Sequence, residues 1–195
     1  MSPPDDPAVI ALAVTEALDR LGVPYFIVGS LAAILHGVVR TTMDVDIVAD
    51  IEPRHVRSLI QSLNGEFFVD EAALLDAVDA RRHSNLIHRE TMFKVDIYPL
   101  RDEPFPRSEL ARRILAPLTP DGVRRAYFAS AEDAILSKLA WFRLGNEVSE
   151  RQWRDVLGIL MTQGNRIDRH YLRSWSGALG VDDLLTRAFE AATTR

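Results

Sequence analysis

Three aspartates and a Gly-Ser pair are the residues of this 195-residue chain whose types and spacing could do chemistry. Asp44 and Asp46 are two positions apart in a strand-like run, and alternate residues of a strand share one face, so their Cα atoms lie about 6–7 Å apart. Asp96 lies in a second strand-like run, 93–98, and a neighbouring strand carrying it could complete a three-carboxylate cluster. Bare of compensating charge, such a cluster is costly unless a divalent cation sits in it. The pattern predicts a metal-dependent phosphoryl-transfer site.

The hydrophobic periodicity predicts the elements that must position these residues. Short apolar runs bounded by turn residues predict strands, and apolar residues at helical spacing predict helices. The predicted strands are 25–28, 45–49, 67–69, 85–88 and 93–98. The predicted helices are 7–21, 30–36, 53–63, 71–79, 149–162, 168–179, 181–193 and one that begins at Ser130. The proline-rich stretch 101–128 is predicted to be irregular, with a possible late hairpin. We therefore expect an α/β domain over 1–128 and a small helical domain over 129–195 packed against it as one unit.

Composition narrows the class of protein. The chain has no cysteine, which excludes disulfides, cysteine nucleophiles and thiolate metal sites and fits the cytoplasm. The acidic start, residues 1–7, lacks the basic segment of a signal peptide, and no apolar run approaches the ~20 residues that span a bilayer. We therefore expect a soluble, cytoplasmic protein with no membrane partner.

The net charge of −5 argues against a protein that binds nucleic acid over most of its surface, but the charged residues are unevenly distributed along the chain. The first 100 residues hold 15 acidic and 8 basic side chains, and the remaining 95 hold 13 and 15. Basic residues of the second half could meet phosphates of a nucleotide or an RNA. On charge alone, an ordinary solvated surface explains the distribution equally well.

The segments around these residues resemble the nucleotidyltransferase superfamily related to DNA polymerase β. Its signature is an apolar strand, Gly-Gly or Gly-Ser, a helix, and then Asp-x-Asp on the next strand, with a third carboxylate further on. The chain matches it with Gly29-Ser30, Asp44, Asp46 and Asp96. Within the superfamily it is most similar to the AbiEii/MenT-like nucleotidyltransferase toxins of toxin–antitoxin systems. The segments that carry this further resemblance are 40–46, 132–139 and 151–155.

The resemblance implies a fold, an activity and a cofactor. The fold would be an α/β (α+β) nucleotidyltransferase-type mixed sheet flanked by helices, followed by the helical C-terminal bundle. The activity would be transfer of an NMP from an NTP to a hydroxyl acceptor. Two Mg²⁺ ions (or Mn²⁺) would be held by Asp44, Asp46 and Asp96, which match the preference of Mg²⁺ for carboxylate and phosphate oxygens.

Further residues would contact the nucleotide. Gly29 would let the backbone approach the triphosphate, and Ser30 with the following helix N-terminus would donate hydrogen bonds to it, although a Gly-Ser after a strand is most often only a turn and cap. The resemblance also implies that Lys138 clamps the β- or γ-phosphate. The alternative is a lysine that extends along the helix surface toward water.

Arg40, Thr42 and Asp155 are the remaining predicted nucleotide-binding residues. For Arg40 and Thr42 the alternative is a role in stabilising the loop. For Asp155 it is a surface ion pair with Arg151 one turn earlier. Relatives often carry another Asp three residues beyond Asp155, where this chain has Gly158, which weakens that part of the resemblance.

Three functions fit these residues. The first is a toxin that transfers an NMP to a tRNA 3′ end or a protein hydroxyl, with an NTP and a cognate antitoxin as partners and no DNA. The second is a catalytically weak NTP-binding module that acts through a partner. The third is an antibiotic-modifying nucleotidyltransferase, which shares the core motif.

Overall fold

The computed structural model describes residues 6–63, 65–119 and 121–193, and the chain forms two compact units. The first unit is Met1–Ser30 with Thr41–Phe128, and the second is Leu31–Arg40 with Ala129–Arg195. The segment 31–40 therefore groups with the second unit, whereas the boundary drawn from the sequence placed it in the first. Of residues 1–7, to which the prediction about the start of the chain refers, 1–5 lie outside the described residues, as does Pro120.

Seven strands and nine α-helices are assigned within the described residues. The strands are β1 (Tyr25–Val28), β2 (Asp44–Ala49), β3 (Phe67–Phe68), β4 (Ser84–His88), β5 (Lys94–Pro99), β6 (Ile114–Pro117) and β7 (Arg125–Phe128). The helices are α1 (Pro7–Arg20), α2 (Gly29–Leu35), α3 (Pro53–Ser62), α4 (Glu71–Asp79), α5 (Pro104–Arg112), α6 (Ala131–Leu144), α7 (Glu150–Gln163), α8 (Arg169–Ser176) and α9 (Asp182–Thr193). A 3₁₀ turn, Gly164–Arg166, follows α7.

All seven strands belong to one mixed sheet of the first unit, in the order β3-β4-β5-β2-β1-β7-β6. Strand β2 is parallel to β5 and antiparallel to β1, and β1 is in turn parallel to β7. The outer pairs β3–β4, β4–β5 and β6–β7 are antiparallel. The predicted mixed sheet with flanking helices and a helical C-terminal part is confirmed.

In β2 and β5, buried apolar residues alternate strictly with the predicted site residues, so the two sets lie on opposite faces of the sheet. Val45, Ile47 and Ala49 of β2 are fully buried, and so are Val95 and Ile97 of β5. The residues between them lie on the opposite face and are exposed or half-buried. Because side chains alternate along a strand, burying the apolar set forces the aspartates onto the other face.

Local side chains begin the helices where the sequence indicates. The Asp6 carboxylate accepts a hydrogen bond from Ala8 N ahead of Pro7, the first residue of α1. The Ser130 hydroxyl accepts from Asp133 N, 3.1 Å away, as the capping pattern at the start of α6 predicts. Each cap satisfies a backbone N–H that has no partner inside the helix.

The prediction for 101–128 is wrong in part. Residues 104–112 form α5, which begins at Pro104 and follows the extended Glu103. Proline fixes φ near its helical value and needs no N–H in the first turn, so Pro104 and Pro106 start this helix rather than prevent it. The late hairpin is present as β6 and β7.

The second unit buries the apolar faces of its helices against one another. Helix α6 packs against α7 and α8, and α7 packs against α9. Ile135, Leu136 and Leu139 of α6 and Val156 and Ile159 of α7 are fully buried. Among the helices of the described residues, none is long and apolar enough to cross a membrane.

Candidate functional site

The strand register places two of the three predicted carboxylates next to each other. Asp46 of β2 and Asp96 of β5 are direct Cα partners across the parallel pair. Asp44 lies two residues earlier on the same face of β2, beside Lys94. Asp44 is exposed, and Asp46 and Asp96 are half-buried. The first unit therefore brings all three aspartates to one face of adjacent strands.

Gly29 lies against this carboxylate group. Val28, the last residue of β1, is the register partner of Asp46 on the other side of β2, and α2 begins at Gly29. Gly29 has φ +62°, and a Cβ placed on it would meet Asp46 Oδ2 at 2.0 Å. Glycine is therefore required here for two reasons, its left-handed backbone and the proximity of the Asp46 carboxylate.

Tyr98 and His83 are neighbours of the carboxylates that the sequence argument missed. The Tyr98 hydroxyl lies 3.5 Å from Asp46 Oδ1, a long hydrogen bond. The His83 ring stacks on Tyr98, with centroids 5.6 Å apart and planes inclined by 24°. The period of two would have found Tyr98, which is two residues beyond Asp96, but His83 lies just before β4 and has no such signal.

Burial and neighbouring charges set the electrostatics of the group. Burial raises the pKa of Asp96; His83 and Lys94 oppose this rise, whereas Asp44 adds to it. Burial, followed by the charges of Asp46, Asp96 and Asp44, raises the pKa of Tyr98 to about 12. From the sequence, the cluster is expected to have no compensating charge. In the structure, the charges of Lys94 and His83 act on Asp96.

The donor set has the chemistry of a magnesium site. It consists of carboxylate oxygens from adjacent strands, the hard donors that Mg²⁺ and Mn²⁺ bind. Among the described residues, however, no group of three or more His, Cys, Asp or Glu side chains is arranged to hold a metal ion. The residues fit a divalent ion by type and by strand position, and the metal itself stays a prediction.

Thr42 and Ser30 complete the predicted residues of the first unit. The Thr42 hydroxyl bonds Asp44 in both directions, donating to its carbonyl at 3.1 Å and accepting from its N–H at 3.3 Å. This contact fixes the backbone where β2 begins. Ser30 is the second residue of α2 and is half-buried.

The other predicted residues, Arg40, Lys138 and Asp155, meet in the second unit. Asp155 Oδ2 accepts from Lys138 Nζ at 2.8 Å and from Arg40 Nη1 at 3.0 Å. Lys138 Nζ also donates to Gln152 Oε1 at 3.1 Å. The Lys138 and Asp155 side chains are only 7% and 4% exposed. Both sequence alternatives therefore fail, because Lys138 does not reach into water and the partners of Asp155 are not Arg151.

Gly158 has a packing explanation. A Cβ at this position of α7 would lie 3.0 Å from Val38 Cγ2. An aspartate there would press against Val38, so the glycine accompanies a close contact between α7 and the segment 36–40.

Two cavities of the described residues lie apart from the predicted site residues. One, of about 210 Å³, is in the first unit beside Tyr25, Arg113 and Tyr127. The other, of about 160 Å³, is in the second unit beside Arg169 and Phe189. None of the predicted site residues lines either cavity.

Two solved structures share the fold of this chain. One is the crystal structure of an antigenic nucleotidyltransferase-like protein from Paracoccidioides brasiliensis, with 16% identity, a TM-score of 0.59, and coverage of 96% of this chain and 94% of that one. The other is ANT(2")-Ia in complex with adenylyl-2"-tobramycin, with 15% identity, a TM-score of 0.50, and coverage of 88% and 95%. No family model and no curated protein matches the chain. The nucleotidyltransferase-type fold is thereby confirmed.

Proposed function

We propose that the protein is a Mg²⁺-dependent nucleotidyltransferase that moves an NMP from an NTP to a hydroxyl acceptor, with pyrophosphate as the leaving group. The observation that carries the proposal is the pairing of Asp46 with Asp96 across β2 and β5, with Asp44 on the same face and Gly29 against Asp46. The fold shared with a nucleotidyltransferase-like protein supports it. Two bound divalent ions would stabilise the entering and leaving oxygens of the displacement at the α-phosphorus.

Each predicted site residue of the first unit has a role in the proposed reaction. Asp44, Asp46 and Asp96 would hold the ions, which would supply charge stabilisation, and Asp96 orients the acceptor hydroxyl and accepts its proton. The backbone N–H groups at the start of α2 and the Ser30 hydroxyl donate to phosphate oxygens. Thr42 fixes the strand end that carries Asp44. Lys138, Arg40 and Asp155 stay predicted nucleotide-binding residues.

The test is label transfer from each of the four α-³²P-labelled NTPs, with Mg²⁺ and total tRNA. We expect the wild type to label an acceptor and Asp46→Asn to lower the rate by more than about 100-fold, because the metals contribute several kcal/mol to the transition state. Asp79→Asn, which alters an exposed carboxylate at the end of α4, is the matched control and should leave the rate unchanged. No transfer to any acceptor, or undiminished transfer by Asp46→Asn, would contradict the proposal.

For the acceptor we propose a tRNA 3′ end, with the protein acting in the cytoplasm as the toxin of a toxin–antitoxin pair. The support is the resemblance of 40–46, 132–139 and 151–155 to the toxin group. A small antitoxin gene beside this one would support the pairing, and sequencing of labelled tRNA would locate the added nucleotide.

A second candidate acceptor is an aminoglycoside-like antibiotic. The shared fold with ANT(2")-Ia, whose structure holds adenylyl-2"-tobramycin, favours it. Parallel reactions with tobramycin and with tRNA at equal NTP concentration separate the two candidates.

A further inference from the structure

The sheet of the first unit has an outer face that continues beyond the carboxylates to the edge strand. We use "outer face" for the side of the four neighbouring strands β3, β4, β5 and β2 that is opposite their buried residues. Away from the carboxylates of β2, it carries Lys94, Asp96, Tyr98, Asn85, Ile87 and Phe68. Paired residues of neighbouring strands share a side, so the register fixes this membership. His83 lies just before β4, and its ring joins this face by stacking on Tyr98.

Phe68 is an unusual residue for its position. It lies on β3, one of the two edge strands, and is 55% exposed. Natural edge strands are protected by being very short, as β3 is, or by charge, proline or a covering element, but this leaves the Phe68 ring itself exposed. The Arg89 guanidinium lies 5.8 Å from the centre of the Phe68 ring. Aromatic rings, together with arginine side chains, are the groups on which proteins that bind single strands stack nucleobases.

His83 supplies a second flat surface, next to the carboxylates. It is exposed, and Tyr98 supports its ring from one side. In the register of β4 and β5, Asn85 pairs with Asp96, and the charge of His83 acts on Asp96. A base lying against His83 would therefore have its ribose close to the residue that receives the acceptor proton.

Phe68 and His83 are far enough apart that a ligand contacting both must contain more than one nucleotide. Phe68 pairs with Ile87, which pairs with Lys94, so Phe68 is two strand spacings, about 10 Å, from β5. The exposed Lys94 lies between Phe68 and the carboxylates, where it can meet a backbone phosphate. A single sugar or hydroxyl compound would leave the Phe68 end of this face uncovered.

We propose that the outer face of β3, β4 and β5 binds the single-stranded 3′ end of an RNA acceptor. One base stacks on Phe68, the terminal nucleoside lies against His83, and its hydroxyl is presented to Asp96. The proposal rests on the proposed function, since it names the acceptor class of that site. Single-stranded ends suit this face because their bases are free to stack on aromatic side chains, whereas duplex bases are not.

The experiment measures binding separately from transfer. A fluorescein-labelled 12-nucleotide single-stranded RNA is titrated with the full chain, without NTP or divalent metal, and anisotropy is recorded. We expect Phe68→Ala and His83→Ala each to raise Kd by about 5- to 150-fold, the value of one base–aromatic stack. Phe68→Trp keeps a stacking surface and should bind like the wild type, and a 12-base-pair duplex should bind more weakly.

Leu75→Ala is the matched control, because Leu75 is also an exposed apolar residue of the first unit, 44% exposed on α4. It should leave Kd unchanged. Unchanged affinity in both Phe68→Ala and His83→Ala would overturn the proposal, and so would equal binding of the duplex. The alternative occupant of the outer face is a second copy of this chain, and sedimentation equilibrium tests for it. Self-association that Phe68→Ala abolishes, with RNA affinity unaffected, would show that the face is a contact between two copies and would overturn the proposal.

Failure of this inference and failure of the proposed function are distinguishable. If the wild type transfers label but Phe68→Ala and His83→Ala bind RNA normally, only the binding face is wrong. If RNA binding depends on both residues but no NMP is transferred, the binding face holds and the enzymatic proposal falls.

Discussion

At the scale of single residues, the contact between Gly29 and Asp46 joins the two parts of the sequence motif. The motif reads as a glycine turn and, separately, an Asp-x-Asp pair. In the fold they are one feature, because Asp46 occupies the volume in which any larger residue at position 29 would put its Cβ. The glycine therefore sets the position of a carboxylate as well as the path of the backbone.

Gly29→Ala should separate these two roles. An alanine at φ +62° costs about 1–3 kcal/mol of backbone strain, and its Cβ also displaces the Asp46 carboxylate. We expect a lower free energy of unfolding in urea and a loss of nucleotidyl transfer. The matched control is Gly122→Ala, at φ +72° with no atom within 4 Å of its Cβ. It should lose comparable stability and keep its transfer rate; equal transfer by both variants would contradict the positioning role.

At the scale of elements, one face of α7 holds the segment 36–40 within the second unit. Asp155, Gly158 and Thr162 follow one another at spacings of three and four, which aligns them on a helix. Asp155 bonds Arg40, Gly158 admits Val38, and a Cβ on Gly37 would meet Thr162 Cγ2 at 2.2 Å. The segment between the glycine turn and β2 is therefore fixed by a helix more than a hundred residues later.

Placing an aspartate at position 158 tests this packing. Gly158→Asp should destabilise the protein by about 1–3 kcal/mol, because the new Cβ would lie only 3.0 Å from Val38 Cγ2 and the rest of the side chain needs further space. Val38→Ala in the same chain should recover part of the loss. The measurement is a double-mutant cycle in urea, where a non-zero coupling energy is expected. Strictly additive effects would show that the two residues do not compete for space.

At the scale of the whole molecule, global stability should depend on pH through His36. His36 Nε2 lies 2.9 Å from the Ala129 carbonyl oxygen, which requires that this nitrogen carries a proton and donates it. Burial lowers the pKa of His36 below its usual 6.5, more than Ala129 and Glu132 raise it. Below pH 6.5 the unfolded chain thus takes up a proton that the folded chain does not.

The stability of the wild type should therefore fall as the pH drops from about 7.5 toward 5.5, by at most about 1.4 kcal/mol per pH unit from this group. His36→Gln, which can still donate to Ala129, should lose less stability over the same range. Urea titrations at each pH give the comparison, since other titrating groups contribute equally to both proteins. Parallel curves would exclude His36 as the source.

The amino-acid pattern by itself determined most elements and the identity of the carboxylates. Period-two alternation identifies β2 and β5, and the face opposite their buried residues must carry Asp44, Asp46 and Asp96. Capping residues fixed several helix starts, such as Ser130. The exception is α5: the prolines of 101–128 predict irregular chain, whereas Pro104 and Pro106 lie in the first turn of a helix. These features are local, because they depend on residues a few positions apart.

Only the tertiary structure decided which distant residues meet. That Asp46 pairs with Asp96 depends on the parallel register of β2 and β5, and that His83 supports Tyr98 depends on how β4 returns along β5. Asp155 has alternative partners in the sequence, and folding selects Arg40 and Lys138 over Arg151. The physical reason is that local periodicity assigns a side chain to a face, whereas its neighbours on that face come from strands and helices whose alignment is set by packing of the whole unit.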